Sequence, residues 1–107
     1  MENQNEQVKA LFIIVNAGFA DEVVEIARSC GSRGATIMSA RGTGKNLEEF
    51  LGIQIEPEKE MVLTLVPENV ATRIMDEVKK TEGLNTAAAG ICFYMPVGNI
   101  TLMNKED

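Results

Sequence analysis

The apolar run ALFIIV occupies residues 10–15 of a chain of 107 residues. The run is rich in residues that favour β-structure, and its length fits a strand better than a helix. A strand that is apolar at consecutive positions is buried on both faces. We therefore predict a strand here, and we expect neither face of it to meet water.

The segments on either side predict an alternation of helices and strands. From Ala20 to about Cys30 the apolar residues recur every three or four positions, which is typical of a helix with one buried stripe. Pro67 is predicted to open a second helix, which ends at Gly83. Further strands are predicted over 35–41, 61–66 and 91–95, with a short extra one over 99–103, a loop over 42–52 and a strand extension over 53–55.

This order predicts an α+β fold, a ferredoxin-like βαββαβ sandwich with a short extra C-terminal strand. Residues 1–7 are expected to be a disordered polar tail, and residues 8–107 a single domain. Two helices can cover only one face of a four-stranded sheet, yet the strand at 11–15 is apolar throughout. The second face therefore needs a cover, and a second copy of the chain is the simplest one.

Composition excludes several classes of function. The net charge of −6 opposes binding to nucleic acid, which requires a basic surface. The chain contains no His, and Cys30 and Cys92 are too far apart in sequence for a CxxC zinc motif. We expect no metal site and no catalytic nucleophile–base pair, hence a protein that is not an enzyme. Since no apolar run reaches the ~20 residues of a membrane span, we expect a cytoplasmic protein that is not inserted in a membrane.

The most distinctive local sequence is RGTGK at residues 41–45, which is basic and rich in glycine. Glycines allow a backbone to approach a phosphate closely, and Lys45 could supply a positive charge. Ser39 and Asn46 exclude a Walker A loop, and Leu47 excludes the dinucleotide fingerprint. By itself this sequence favours a flexible turn over a phosphate site.

Several segments of the chain resemble the PII family of signalling proteins. Residues 34–37 are similar to the family's Gly-Met-Thr-Val, residues 41–45 to its Lys-Gly-Phe-Gly-Arg, and residues 65–69 to its Val-Val-Pro-Asp-Asp. Gly90 and residues 93–97 resemble its Gly-Lys-Ile-Phe-Val-x-x-Val. These segments occur in the family's order and extend over most of the chain.

The resemblance implies a homotrimer in nitrogen regulation that binds ATP or ADP between neighbouring subunits and docks on a target protein, a transporter or a metabolic enzyme. The residues that it assigns to the effector are Gly34, Ala35, Thr36, Arg41, Gly42, Thr43, Gly44, Lys45 and Gly90. We predict that residues 45–58 form the mobile partner loop, with Glu48, Glu49 and Phe50 as its contacts.

Three departures from the family qualify these expectations. The loop is short and contains no Tyr, so it cannot be uridylylated there. The family's lysine after the late glycine is Ile91, and its two late arginines fall at Leu102 and Asn104. We therefore expect nucleotides to bind more weakly than in typical PII proteins, which leaves the effector open.

Two alternatives belong to other classes. One is a small ferredoxin-like enzyme that acts on a phosphorylated or other anionic metabolite through Arg41 and Lys45. The other is an interaction module without any ligand.

Overall fold

Four antiparallel strands form the main sheet, and two helices pack on one of its faces. The computed structural model describes residues 7–42, 48–50, 53–55, 58–83 and 86–100. The elements are β1 (Val8–Asn16), α1 (Ala20–Ser29), β2 (Thr36–Arg41), β3 (Glu48–Phe50), β4 (Ile53–Ile55), β5 (Glu58–Pro67), α2 (Glu68–Glu82) and β6 (Ile91–Pro96). The main sheet has the order β2-β5-β1-β6, and β3 pairs with β4 in a separate hairpin. The predicted ferredoxin-like α+β fold is confirmed.

The helix-facing side of the sheet forms the core. Leu11, Ile13 and Val15 of β1 are fully buried there, because alternate residues of a strand point to the same face. The helices complete the core with the buried stripes that their periodicity predicts. These are Ala20, Val23 and Ala27 on α1, and Ala71, Ile74 and Val78 on α2.

The opposite face of the sheet is apolar and has no cover within one chain. Phe12 of β1 lies opposite Leu63 of β5 and Phe93 of β6, and the two phenyl rings stack with centroids 5.1 Å apart. The same face leaves large apolar side chains exposed: Leu65 at 51%, Ile91 at 51%, Phe93 at 41% and Met95 at 47%. Within a single chain, therefore, β1 is buried on the face that meets the helices, and the prediction that its other face is buried is not met.

Three sequence predictions need correction. Residues 48–50 were expected in a loop but form β3, which pairs antiparallel with residues 53–55. Pro67 does not start the second helix: its ψ of 157° is extended, and the helix begins at Glu68. Asn99 and Ile100 lie outside any strand, and the rest of the predicted strand over 99–103 falls outside the described residues.

The N-terminal end of β1 is tied to the second helix. The Gln7 carbonyl accepts the backbone N–H of Glu68, which satisfies one of the free donors at the start of α2. The other residues of the predicted tail, 1–6, lie outside the described part of the chain. Neither α1 nor α2 is long and apolar enough to cross a membrane.

Candidate functional site

Those residues assigned to the effector that the structure describes lie at opposite edges of the sheet. The segment from Gly34 to Gly42 contains β2, which is one edge strand, and Gly90 immediately precedes β6, the other edge strand. Three strand spacings of ~4.8 Å separate these edges, which is ~14 Å. A single chain therefore does not bring Gly34 and Gly90 together, whereas two copies placed edge to edge would do so.

The turn that carries Gly34, Ala35 and Thr36 is held from below by two hydroxyls. The Ser32 hydroxyl donates to the Gly34 carbonyl oxygen at 3.0 Å, and the Thr64 hydroxyl donates to the same oxygen at 2.7 Å. The two hydroxyl oxygens are 2.8 Å apart. Both side chains are buried, so these contacts are shielded from water. Beside Gly34 the space is open, because a Cβ built there would meet nothing within 4 Å. The turn thus presents an exposed backbone on a fixed support.

At the other end of β2, the residue that packs closely on Gly42 is Lys59. A Cβ on Gly42 would lie 2.8 Å from Lys59 Cε, so the glycine makes room for this side chain. Lys59 Nζ donates a hydrogen bond of 2.7 Å to Asn16 Oδ1. Within the described residues Lys59 forms no ion pair with a carboxylate.

Asn16 connects this end of β2 to the segment before β6. Its Nδ2 donates to the Ala87 carbonyl at 3.0 Å, and its backbone N–H donates to the Ala88 carbonyl at 2.8 Å. A row of contacts therefore runs from Gly42 through Lys59 and Asn16 to the 86–90 turn. The sequence analysis did not find this row, because its members are 43 and 71 residues apart in sequence.

A cavity of about 460 Å³ lies beside this row, at the end of β2 and β5. Arg41 and Lys59 contribute positive charge to its wall, and Glu58 and Glu60 contribute negative charge. Glu60 is already engaged, since its Oε1 accepts the backbone N–H groups of Gly18 and Ala20 at the start of α1. An anion in this cavity would meet the side chains of Lys59 and Arg41 on one wall and the negative charge of Glu58 beside them.

Gly90 has a structural reason to be glycine. Its N–H donates to the carbonyl oxygens of Glu82 at 2.8 Å and Gly83 at 3.1 Å. A Cβ at this position would overlap the Glu82 carbonyl oxygen and would lie 3.0 Å from a methyl of Val15. The 86–90 turn thus packs directly on the C-terminal end of α2.

The structure gives less information on the other predicted site residues. Thr43, Gly44 and Lys45 lie outside the described residues. Glu48, Glu49 and Phe50 form β3, which the structure describes at the level of its backbone pairing with β4. The prediction that they contact a partner stays a prediction.

The described residues offer little for catalysis or for metal binding. Among them no group of three or more acidic or Cys side chains is arranged to hold a metal ion. Cys30 is buried at the end of α1, and burial raises the pKa of the Cys92 thiol, which opposes formation of a reactive thiolate. The Tyr94 hydroxyl donates a hydrogen bond of 3.1 Å to Glu68, and this bond raises the pKa of Tyr94.

Solved structures with the same fold come from several bacteria. A PII-like signaling protein from Thermus thermophilus is 25% identical, with a TM-score of 0.67, over 86% of this chain and 88% of that one. A nitrogen regulatory PII-like protein from Thiomonas intermedia, bound to ADP, AMP and bicarbonate, is 20% identical, with a TM-score of 0.64, over 88% and 96%. GlnK of B. subtilis in complex with ATP is 13% identical, with a TM-score of 0.66, over 86% and 84%.

No curated protein matches the chain in a sequence comparison. The family model for nitrogen regulatory protein P-II, in contrast, matches residues 8–107, which is nearly the whole sequence. The ferredoxin-like fold agrees with that match. The chain belongs to the nitrogen regulatory protein P-II family.

Proposed function

We propose that this protein is a cytoplasmic homotrimer that binds an anionic effector between neighbouring copies and relays its presence to a target protein. The observation that carries the proposal is the position of Gly34 and Gly90 on opposite edges of the sheet. An effector that needs both segments must lie between two copies. The regulatory role in the proposal comes from the P-II family, and the position of the effector comes from this geometry.

The uncovered face of the sheet supports the assembly. It exposes Leu65, Ile91, Phe93 and Met95, and large exposed apolar patches of this kind mark interfaces. Full burial of such a side chain contributes about 1.5–3 kcal/mol. Since about half of each is still exposed, covering the remainder would contribute about 1 kcal/mol per side chain in each copy. The family favours three copies around this face.

Charge at the cleft defines the class of effector. Lys59 and Arg41 supply positive charge near Gly42, while Ile91 is neutral beside Gly90. The relatives from T. intermedia and B. subtilis were solved with ADP, AMP and bicarbonate, and with ATP, respectively. We infer that ATP or ADP binds here too, but weakly, because Ile91, Leu102 and Asn104 lack the positive charge of the family residues.

The relay to a target protein is assigned to the 45–58 segment. This segment follows Gly42 closely in the sequence, so an effector bound at Gly42 would act on the start of the segment. Segments that connect the main strands of a sheet commonly carry binding function. A transporter or an enzyme of nitrogen metabolism is the target class that the family suggests.

Calorimetric titration with ATP and with ADP, with and without Mg²⁺, tests the proposal. Replacing Lys59 by Ala removes one charged contact, worth about 1.5–3 kcal/mol, so affinity should fall about tenfold to a hundredfold. Lys80→Ala is the control, because Lys80 is exposed and forms an ion pair with Glu77 on α2. Equal losses in the two variants, or hydrolysis of the bound nucleotide, would contradict a regulatory effector site at Lys59.

A further inference from the structure

The turn at residues 86–90 uses its backbone N–H groups to hold its own shape. The Ala88 N–H donates to the Thr86 hydroxyl at 3.3 Å, and the Ala89 N–H donates to the Thr86 carbonyl at 3.0 Å. The Gly90 N–H is shared between two carbonyls at the end of α2, at 2.8 and 3.1 Å. A backbone segment binds phosphate when successive N–H groups point together at the anion. Since these three successive N–H groups already have acceptors, the turn is not built to bind phosphate.

The turn is also fixed on both sides, so a small movement does not release these N–H groups. Asn16 of β1 donates to the carbonyls of Ala87 and Ala88 at 3.0 and 2.8 Å. The Thr86 hydroxyl donates to the Gly83 carbonyl at 2.7 Å. Rotating a backbone N–H of the turn toward a ligand would therefore break contacts with β1 or with the end of α2.

The chain around this turn is uncharged. Residues 83–104 contain neither an acidic nor a basic residue. In the turn and at the start of β6, the exposed residues are Ala87 and Ile91. A phosphate placed against them would lose hydration and would gain no ion pair in return. This wall of the cleft therefore suits an uncharged part of a ligand.

Positive charge lies beside the turn, but it is balanced. The cavity at the end of β2 and β5 has two cations in its wall, Arg41 and Lys59, and two acids, Glu58 and Glu60, so the formal charge of the wall is zero. Among the described residues, Lys59 Nζ donates one hydrogen bond, to Asn16, and an ammonium group has three N–H donors. Lys59 can therefore receive one compact anionic group, whereas a chain of phosphates meets no surplus of positive charge.

Asn16 places the two features next to each other. Its Oδ1 accepts from Lys59 Nζ at 2.7 Å, and its Nδ2 donates to the Ala87 carbonyl at 3.0 Å. A ligand whose anionic group is bound at Lys59 therefore extends over the uncharged 86–90 turn.

We propose that the effector carries its negative charge on a single compact group bound at Lys59, and that an uncharged part of it lies against the 86–90 turn. Among nucleotides, a nucleoside monophosphate has this chemistry, and further phosphates add no affinity. This ligand class rests on the proposed function, because it takes the cleft to be the effector site.

Calorimetric titration of the wild-type protein with adenosine, AMP, ADP and ATP, without Mg²⁺ and at one ionic strength, tests the proposed ligand class. AMP should bind about tenfold to a hundredfold more tightly than adenosine, because it gains one charge-assisted contact. ADP and ATP should bind no more tightly than AMP. Tighter binding of ATP than of AMP, or equal binding of AMP and adenosine, would overturn the single-charge ligand and leave an effector site in place. Binding of none of the four would overturn the proposed function, and the ligand class with it.

Lys59→Ala locates the anionic group. The variant should weaken AMP and ATP by the same factor and leave adenosine unchanged, since only one charged group contacts Lys59. Lys80→Ala, an exposed lysine of α2, is the control and should change none of the three. A larger loss for ATP than for AMP would show several phosphates at Lys59 and would overturn the proposal.

A cation added to the turn provides the reverse test. Ala87 is exposed, so Ala87→Lys places a positive charge on the wall without burying it. This variant should raise the affinity for ATP relative to AMP by about tenfold to a hundredfold, the value of one charge-assisted contact. Ala87→Gln, which adds a long side chain without charge, should leave the ratio unchanged. An unchanged ratio in Ala87→Lys would overturn the assignment of the turn as the uncharged wall.

Discussion

Replacing Gly90 by Ala should destabilise the fold, because the methyl group has no space. Its Cβ would overlap the Glu82 carbonyl oxygen and press on Val15, so the 86–90 turn must move away from α2. That movement disrupts two hydrogen bonds from the Gly90 N–H, which contribute about 0.5–1.5 kcal/mol each. Overpacking adds about 1–3 kcal/mol. We expect a total loss of about 2–6 kcal/mol.

Gly34→Ala is the matched control. A Cβ at Gly34 meets nothing within 4 Å, and the backbone there does not require the left-handed region. At such a site the change from Gly to Ala stabilises by about 0.4–1 kcal/mol, since it reduces the entropy of the unfolded chain. The two glycines, which the family resemblance assigns to the same site, should therefore respond in opposite directions.

Urea denaturation followed by circular dichroism measures both variants at one chain concentration. With a slope of about 1–3 kcal/mol per M, Gly90→Ala should lower the midpoint by on the order of 1–2 M. Gly34→Ala should leave the midpoint unchanged or raise it slightly. If the two midpoints agreed, Gly90 would not be a close-packed position, and the account of the turn would be wrong.

Three further predictions concern the sheet, the glycine turn and the hairpin. Phe93→Asp should convert the assembly to a monomer in sedimentation, because a charge buried in the interface costs several kcal/mol; Thr72→Asp, on the exposed side of α2, should not, and an intact Phe93→Asp trimer would refute the interface. Thr64→Val should cost about 1 kcal/mol on urea unfolding by removing a buried donor to Gly34; no loss would mean that this hydroxyl does not support the turn. Amides of residues 46–52 should exchange rapidly in the free protein, since an isolated two-stranded hairpin is marginal; strong protection would contradict a mobile partner segment.

The sequence predicted most of the fold because its signals are local. The stripe on α1 and the apolar run of β1 each repeat with a period that only one type of element satisfies. The strand β3 escaped prediction because three residues, two of them glutamates, carry no such period. Its pairing with β4 comes from a contact between neighbouring segments and not from its own composition.

The candidate site was only half predictable. The glycine-rich segments can be recognised in the sequence. Lys59, in contrast, lies in an acidic stretch, and only the fold shows that it contacts Gly42 and Asn16. Likewise, nothing in the sequence shows that Glu82 is buried at the C-terminal end of α2. These relations depend on residues far apart in the chain, so they become visible only with the sheet order.

Native mass spectrometry of the protein with ATP or ADP tests the central proposal most directly, because it reports the number of chains and the number of bound effectors together. The account predicts an assembly near three times 11.7 kDa, with up to three nucleotides bound and none on any residual monomer. A monomer that binds nucleotide one to one would contradict the account, since within one chain the Gly34 and Gly90 segments lie at opposite edges of the sheet.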